Sequence, residues 1–423
     1  MAKKLFWTTV ERKVNDLVPH DENPRRISSK QLEDLKRNIE RFNLAEIPAI
    51  NTDGRILAGH QRIKALQLLG RGEEKIPVRI PSRPLSEADA RRYLVASNAL
   101  GGSWDFEKLK VFDAKLLLDI GVDDETISAT WDNTLETADD NFDVEKELAR
   151  IKKPKSKVGE IYQLGPHRLA VGDAIDPSVL QKLFGKERAA MIYSDPVYNL
   201  SIDYSHGVGG RANYGGNVND TRTPDEYRAF LKQSMEVALA VAKDDTHVFY
   251  WNDESQIGLV QGLFAELGLT NRRVCLWIKN GQNPTPGVAF SKAYEPCIYA
   301  TRGKPYLAKN ITDLNEVLNK EIGTGNRLIE DIIDNFNVWL VRRLAGKEYT
   351  HATAKPPTLH QKAIKRCTKV NDIILDSFSG SGSTLISAEM LKRRAYVVEL
   401  EPLFADLAIR RWEALTKLAA KRV

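Results

Sequence analysis

The stretch that most constrains this chain lies near its C-terminal end. There the apolar run Asp372 to Leu375 meets Asp376-Ser377-Phe378-Ser379-Gly380-Ser381-Gly382-Ser383-Thr384, which passes into the helical pattern TLISAEMLKR and then into Ala395 to Glu399. Glycines in a strand-to-helix turn let the backbone come close to a ligand, and an acid ending the next strand, Glu399, can accept from both hydroxyls of a ribose. A glycine turn by itself can also be no more than a tight corner. The full order of strand, turn, helix, strand and acid points instead to a nucleotide-type cofactor on an α/β domain. GxG without a third glycine, and without a closing Lys-Ser/Thr, speaks against a Walker phosphate loop.

The α/β pattern reaches back to Val158, with apolar strands alternating with amphipathic helices. Further strands are expected at Ala189 to Ser194, Thr246 to Tyr250, Arg273 to Ile278 and Glu295 to Ala300. Helices are expected over Pro224 to Ala242, Glu254 to Leu267, Gln361 to Cys367, Thr384 to Leu391 and Pro402 to Lys417. The first of these strands delivers Asp195-Pro196-Val197-Tyr198-Asn199 at its C-terminal end, where open α/β sheets place ligands. A strand-end carboxylate followed by proline and an aromatic suits a reaction at the amino group of a flat heterocycle. That nitrogen is a poor nucleophile because its lone pair is delocalised into the ring. Hydrogen bonds from its two N–H groups to the Asp195 side chain and the Pro196 carbonyl would favour a pyramidal nitrogen, and Tyr198 would stack on the extruded ring. Taken alone, the pentapeptide is read more simply as an Asp-Pro turn with Tyr198 in the core.

A chain of 423 residues allows two or three domains at about 150 residues each. Its net charge of +5 excludes the extreme basicity of histone-like proteins and decides little else in bulk. By segment the charge says more. Residues 1 to 100 carry +6, residues 101 to 150 carry −9 and the remainder +8. The acidic run Glu136 to Glu147 followed by the basic Arg150 to Lys157 reads as a charged linker over 136–157, between a body at 1–135 and a domain at 158–423. An exposed helix ending in a turn is the alternative for the part before Pro154. Cys275, Cys297 and Cys367 are widely spaced and form no CxxC pair, so neither a disulfide framework nor a metal site is expected, in keeping with a reducing cytoplasm. No run approaches the roughly 18 apolar residues of a membrane span.

In the N-terminal body, Leu32, Leu35 and Ile39 have helical spacing over Ser28 to Phe42. Pro48 to Ile50 and Arg55 to Leu57 read as strands about the turn Asn51-Thr52-Asp53-Gly54. Gly59 opens a helix that Gly70 closes, and its start, GHQR, sets Gly59, His60 and Arg62 at a positive dipole end, a candidate phosphate site. Gly59 as a mere cap and Arg62 as a solvated charge is the alternative.

The segments NPR, LAGHQRIKALQLLG, IPVRI and LSEADARRYLVASNALGGSWD resemble the ParB/sulfiredoxin-like domain, a small α+β domain, in the variant found ahead of DNA methyltransferases. That resemblance implies CTP or another nucleotide at Gly59, His60 and Arg62, although the family's box usually reads GERR. In the second body, SDPVYN is similar to the DPPY catalytic motif of S-adenosylmethionine-dependent DNA amino-methyltransferases and DSFSGSGST to their FxGxG cofactor motif. Thr353-Ala354-Lys355-Pro356 resembles the segment beside the methionine part of the cofactor. The catalytic motif precedes the cofactor motif, the circularly permuted order of the β class. The resemblance covers roughly residues 155 to 415 and implies a Rossmann-like mixed sheet and the cofactor S-adenosylmethionine. It further implies double-stranded DNA as partner, a homodimer, and a modification role of restriction-modification or mobile-element kind. It assigns catalysis to Asp195, Pro196 and Tyr198, and cofactor binding to Asp173, Thr353, Lys355, Asp376, Phe378, Gly380, Gly382, Thr384 and Glu399. Val197 stands where the family usually has a second proline. Aspartate at the head of the catalytic motif tilts the reading toward N6 of adenine over N4 of cytosine. The competing reading is a nucleotide-switched ParB-like DNA-binding protein with a degenerate methyltransferase half, and an RNA substrate is a third.

The glycine-rich Ser205 to Thr223 is expected to close over a flipped base and to reach phosphate through Arg211 and Arg222. Arg327, Arg342 and Arg343 fall where target recognition is expected. His351, His360, Lys362, Lys365, Arg366 and Lys369 form a basic cluster for nucleic acid, or else a solvated helix face. Trp277 is assigned to the core and Lys279 to the rim.

Overall fold

The computed structural model describes residues 5–23, 25–26, 29–97, 103–104, 117, 122, 127–128, 135, 137–200, 220–283, 292–308, 337–341 and 355–423. Contacts divide the chain into two compact units, Met1–Thr134 and Leu135–Val423.

In the first unit, strands β1 (Trp7–Lys13), β3 (Ala49–Ile50), β4 (Ile56–Ala58) and β5 (Lys75–Pro81) form one sheet in the order β1-β5-β3-β4. A separate pair joins β2 (Arg25–Arg26) to β6 (Ser103–Trp104). Helices α1 (Ser29–Phe42), α2 (His60–Leu68) and α3 (Glu87–Ala96) complete it. The apolar stripe of α1 works as its spacing requires, with Ile39 buried and Leu32 and Leu35 packed beside it against Ile50, Ile56, Ile63 and Leu66. β1 and β5 pair along their whole length, from Trp7 opposite Pro81 to Lys13 opposite Lys75. β1 shows no buried residue, so it lacks the alternation that would announce a strand.

The second unit is a ten-stranded mixed sheet with helices on both faces. Its strands are β7 (Ile161–Leu164), β8 (His167–Val171), β9 (Ala189–Ser194), β10 (Ala242–Trp251), β11 (Thr270–Asn283), β12 (Lys292–Arg302), β13 (Val338–Leu340), β14 (Ile373–Asp376), β15 (Arg394–Glu399) and β16 (Lys421–Arg422). Across the sheet the order is β13-β11-β12-β10-β9-β14-β15-β8-β7-β16. Helix α4 (Val144–Arg150) precedes it. Helices α5 (Pro177–Phe184), α6 (Pro224–Ala240) and α7 (Ile257–Glu266) cover one face, and α8 (Pro357–Cys367), α9 (Ser383–Met390) and α10 (Pro402–Thr416) the other. β9 is buried throughout, and its side chains alternate: Ile192 enters the first core with Leu231 and Val248, while Met191 and Tyr193 enter the second with Leu359 and Leu385. Trp277 is 2% exposed, in the core as expected.

Five neighbouring strands, β10, β9, β14, β15 and β8, run parallel and end on one edge. β9 leads through α6 to β10 on one side, and β14 leads through α9 to β15 on the other. The gap between β9 and β14 is therefore a topological switch point, where α/β sheets open a ligand crevice.

The charged stretch expected to be a linker is instead docked on the second unit. Asp140 and Arg411 form a bidentate ion pair at 2.5 and 3.0 Å with both side chains 4% exposed or less. Thr137 donates its hydroxyl to Gln361, and Asp406 accepts the N–H groups of Lys155 and Ser156. Composition reads the run as solvated because it sees the carboxylates and not the cations that wait for them elsewhere in the chain. Among the described residues the cysteines are free and buried, and no helix is long and apolar enough to cross a membrane.

Candidate active site

The switch point gathers what the sequence scatters. Asp195 follows β9, Asp376 ends β14, Glu399 ends β15 and Asp173 follows β8, so four carboxylates stand along one sheet edge. Asp173 is exposed, and its side chain accepts from the N–H of Ile175 at 3.1 Å.

The glycine turn is built around two buried acids. Asp376 accepts the Phe378 N–H at 3.0 Å and is hydrogen-bonded to the Thr384 hydroxyl. Glu399 accepts the Gly380 N–H at 2.7 Å through one oxygen and the Glu401 N–H at 2.9 Å through the other. Each Glu399 oxygen keeps a lone pair for a ligand hydroxyl. Burial raises both carboxyls to about 7, against hydrogen bonds that favour the anions. Gly380 and Gly382 both take left-handed backbone, φ +51° and +81°, and Gly382 heads α9. A Cβ on Gly380 would meet no atom of the described residues within 4 Å, whereas one on Gly382 would lie 3.0 Å from Cβ of Ala408. Gly380 thus borders open space and Gly382 permits close helix packing. The hydroxyls of Ser377 and Ser379 are buried and have no hydrogen-bond partner among the described residues. Unmet donors, two acids short of positive charge and a glycine facing open space suit a polar, cationic nucleoside ligand.

Beside this turn stands a second cluster. The Lys355 ammonium reaches Asp195 Oδ2 at 2.5 Å, Glu295 Oε1 at 2.8 Å and the Tyr198 hydroxyl at 3.0 Å. Tyr198 Oη lies 2.7 Å from Asp195 Oδ1 and 2.6 Å from Glu295 Oε1. Lys355 also sits 4.8 Å above the Trp251 ring. Burial and Glu295 raise the Asp195 carboxyl although Lys355 opposes them. Lys355 is raised by the two carboxylates against burial, and so is fully cationic. Pro196 is buried. The Val197 carbonyl accepts from Tyr227 at 2.8 Å, and Asn252 donates to the same hydroxyl at 2.9 Å. These bonds brace the motif where a second proline would have stiffened it.

The structure brings Asp195, Pro196, Tyr198, Lys355, Asp376, Phe378, Gly380, Gly382, Thr384 and Glu399 to one edge of the sheet. Lys355, expected beside the cofactor, makes its polar contacts with the catalytic motif. Glu295, Trp251, Tyr227 and Asn252 were not foreseen. The one legible trace of Glu295 was an acid heading the apolar strand EPCIYA. Arg222 lays its guanidinium over Phe230 at 4.4 Å, and Phe230 meets Phe378 at 5.9 Å. Thr353, Arg211, Arg327, Arg342, Arg343 and His351 lie outside the described residues, as does most of the glycine-rich segment.

The described members of the basic cluster lie on α8 and just after it. His360 is 2% exposed, bridges the Tyr193 and Ser383 hydroxyls and is pushed down to about 3 by burial, so it is neutral. Lys365 donates to the Leu135 carbonyl, Arg366 to that of Ala308, and Lys369 lies over Tyr306, while Lys362 is half-buried. Lys365 and Arg366 thus hold neighbouring chain through its carbonyls.

In the first unit, Gly59 has φ +96° and its position would bring a Cβ to 3.0 Å from Pro48. His60 Nε2 accepts the His20 N–H at 3.2 Å, and Arg62 is paired with Glu46. Gly59 is therefore confined by packing against Pro48, and His60 and Arg62 each have a protein partner.

A family profile described as DNA methylase of the N6/N4 type matches residues 189–410. The chain is 29% identical over 239 residues to the type II methyltransferase M2.DpnII of Streptococcus pneumoniae, covering 54% of this chain and 84% of that protein. It is 27% identical over 235 residues to M2.MboI of Moraxella bovis, covering 53% and 81%. Among solved structures, the M1.HpyAVI–SAM complex shares 18% identity over 57% of this chain and 97% of its own, with a TM-score of 0.41. The cytosine-N4-specific PvuII DNA methyltransferase shares 14% over 63% and 93%, with a TM-score of 0.42. With the catalytic and cofactor motifs both inside the matched span, the chain belongs to the N6/N4 DNA methylase family and is an S-adenosylmethionine-dependent DNA amino-methyltransferase.

Proposed function

We propose that this enzyme methylates N6 of adenine extruded from double-stranded DNA, with the reaction centred on Asp195, Pro196 and Tyr198. The observation that carries the reading is the Asp195 carboxylate at the end of β9, one strand from the glycine turn and held by Lys355 and Tyr198. An acid there accepts an N–H of the target amino group, the Pro196 carbonyl accepts the other, and the nitrogen lone pair is drawn out of the ring. Tyr198 supplies a stacking face. Asp195 is also placed to receive the proton that the nitrogen sheds once its lone pair has formed the new bond. Its side chain is 30% exposed, so that proton can pass on to water.

Bound S-adenosylmethionine would supply an electrophilic methyl on a positively charged sulfur. Glu399 would hold its ribose, Asp376 and Thr384 the turn beneath it, Phe378 the flank, and Asp173 the adenine side. Two carboxyls titrating near 7 would be drawn to the ionised form by that positive charge.

We further assign the first unit to the ParB/sulfiredoxin-like class on the strength of its sequence segments, with DNA placement as its role. A nucleotide at Gly59, His60 and Arg62 and a homodimer remain proposals carried by the resemblance alone.

The test is transfer of labelled methyl to unmethylated DNA, followed by nucleoside analysis. N6-methyladenine is the expected product, and N4-methylcytosine would refute the choice of base. Asp195→Ala should abolish transfer while cofactor binding changes less than about threefold, because truncation removes an acceptor from the reacting nitrogen and not from the glycine turn.

A further inference from the structure

We propose that Glu295 is a positioning residue of methyl transfer: by sharing the Lys355 ammonium and the Tyr198 hydroxyl proton, it leaves Asp195 free to accept the target amino group. The inference rests on the methyltransferase reading and adds to it a residue outside the catalytic motif.

The Lys355 ammonium has three protons, and the acceptors within 3.0 Å among the described residues are Asp195 Oδ2, Glu295 Oε1 and the Tyr198 hydroxyl. Tyr198 has one, with Asp195 Oδ1 and Glu295 Oε1 both within 2.7 Å of its oxygen. Only one carboxylate can receive it, so the hydroxyl has two settings. Turned to Asp195, it takes one lone pair of Oδ1 and makes that oxygen a weaker acceptor for an incoming N–H. Turned to Glu295, it clears that oxygen, and Glu295 is the only other carboxylate among the described residues within reach.

Charge leads to the same place. Among the described residues, the titratable groups beside Glu295 include Lys355, Asp195, Tyr198 and the thiol of Cys297, a largely buried set in which one cation serves two carboxylates. If Glu295 were neutral, the whole attraction of Lys355 would fall on Asp195, which would become a weaker acceptor for the base and for the released proton. Topology makes the arrangement possible. β12 runs antiparallel to β10, so its first residues arrive at the edge where the parallel strands finish.

The experiment compares the full chain with Glu295→Gln and Glu295→Asp in single-turnover methylation of DNA across pH, alongside cofactor titration and thermal melting. Glu295→Gln should bind cofactor within about twofold of wild type yet transfer methyl about 10- to 100-fold more slowly. Its acid limb should move to lower pH, because removing a negative neighbour lowers the Asp195 pKa. Glu295→Asp, which keeps the charge, should recover part of the rate and keep the wild-type limb. Transfer by Glu295→Gln at the wild-type rate with an unmoved limb would overturn the proposal. So would equal losses in both variants with neither limb shifted, the signature of lost packing. Should Glu295→Gln fail to fold, the limb and rate of Glu295→Asp decide in the same sense. A wild-type protein that transfers no methyl to DNA would overturn the underlying reading as well, and is distinguished by needing no variant.

Discussion

Glu399 shows how much one side chain can carry. Its two oxygens hold the Gly380 and Glu401 N–H groups, and burial lifts it from an ordinary 4.5 to about 7. A carboxyl raised on folding takes up protons relative to the unfolded chain. Its contribution to stability is therefore full below about pH 4 and is lost as pH rises through 7. Under the proposed role of Glu399 in holding the ribose, ligand binding runs the other way, since ribose hydroxyls donate to the anion. Cofactor affinity should increase about tenfold between pH 6 and pH 8, tracking the ionised fraction. Glu399→Gln should bind weakly and flatten that dependence, which calorimetric titration at several pH values will show. A Glu399→Gln profile as steep as wild type would place the titrating group elsewhere, with Asp376 next in line.

At the scale of elements, the turn between β14 and α9 uses its two glycines differently. Gly382→Ala adds a methyl 3.0 Å from Ala408 at φ +81° and presses α9 away from α10. We expect a loss of about 1–3 kcal/mol in thermal or denaturant unfolding, with or without cofactor. Gly380→Ala meets no atom of the described residues within 4 Å, so its cost should be left-handed strain alone, about 1 kcal/mol. That variant should instead read out in cofactor titration, because its methyl enters the space the ligand needs. Similar melting losses in both would contradict this division. These two roles were not separable in the sequence, where both residues appear only as GxG. The helices and strands themselves were more legible. β9, β12, β14 and β15 fall within a few residues of their expected positions, because each is a short apolar run bounded by polar turns. β1 and β7 have no such signature: β1 has no buried residue and β7 only one.

At the scale of the whole chain, the docked acidic stretch ties distant parts of the second unit together. Arg411 pairs with Asp140 and also donates to the Ser381 carbonyl at 3.2 Å, so a residue before the domain steadies the cofactor turn. Asp140→Ala leaves a guanidinium buried without its anion, and we expect about 3–5 kcal/mol of destabilisation. Weaker cofactor binding should accompany it, since Arg411 would be drawn from Ser381. A fragment beginning at 158 should therefore melt well below one beginning at 135, and equal melting temperatures would show that the dock contributes nothing.

What the sequence determined by itself is local: a strand delivering Asp195, a glycine turn before a helix, an acid ending the next strand, and the family those motifs resemble. Each depends on neighbours along the chain, where periodicity and turn chemistry act. The tertiary structure alone decided which charges meet. Lys355 lies 160 positions from Asp195, Glu295 a hundred from Tyr198 and Asp140 some 270 from Arg411. Composition saw an acidic linker and a basic helix face because a charge shows its sign in sequence and its partner only in space. The sheet order, by setting β9 beside β14 and starting β12 at the same edge, gathers Asp195, Glu295 and Asp376 into one candidate active site.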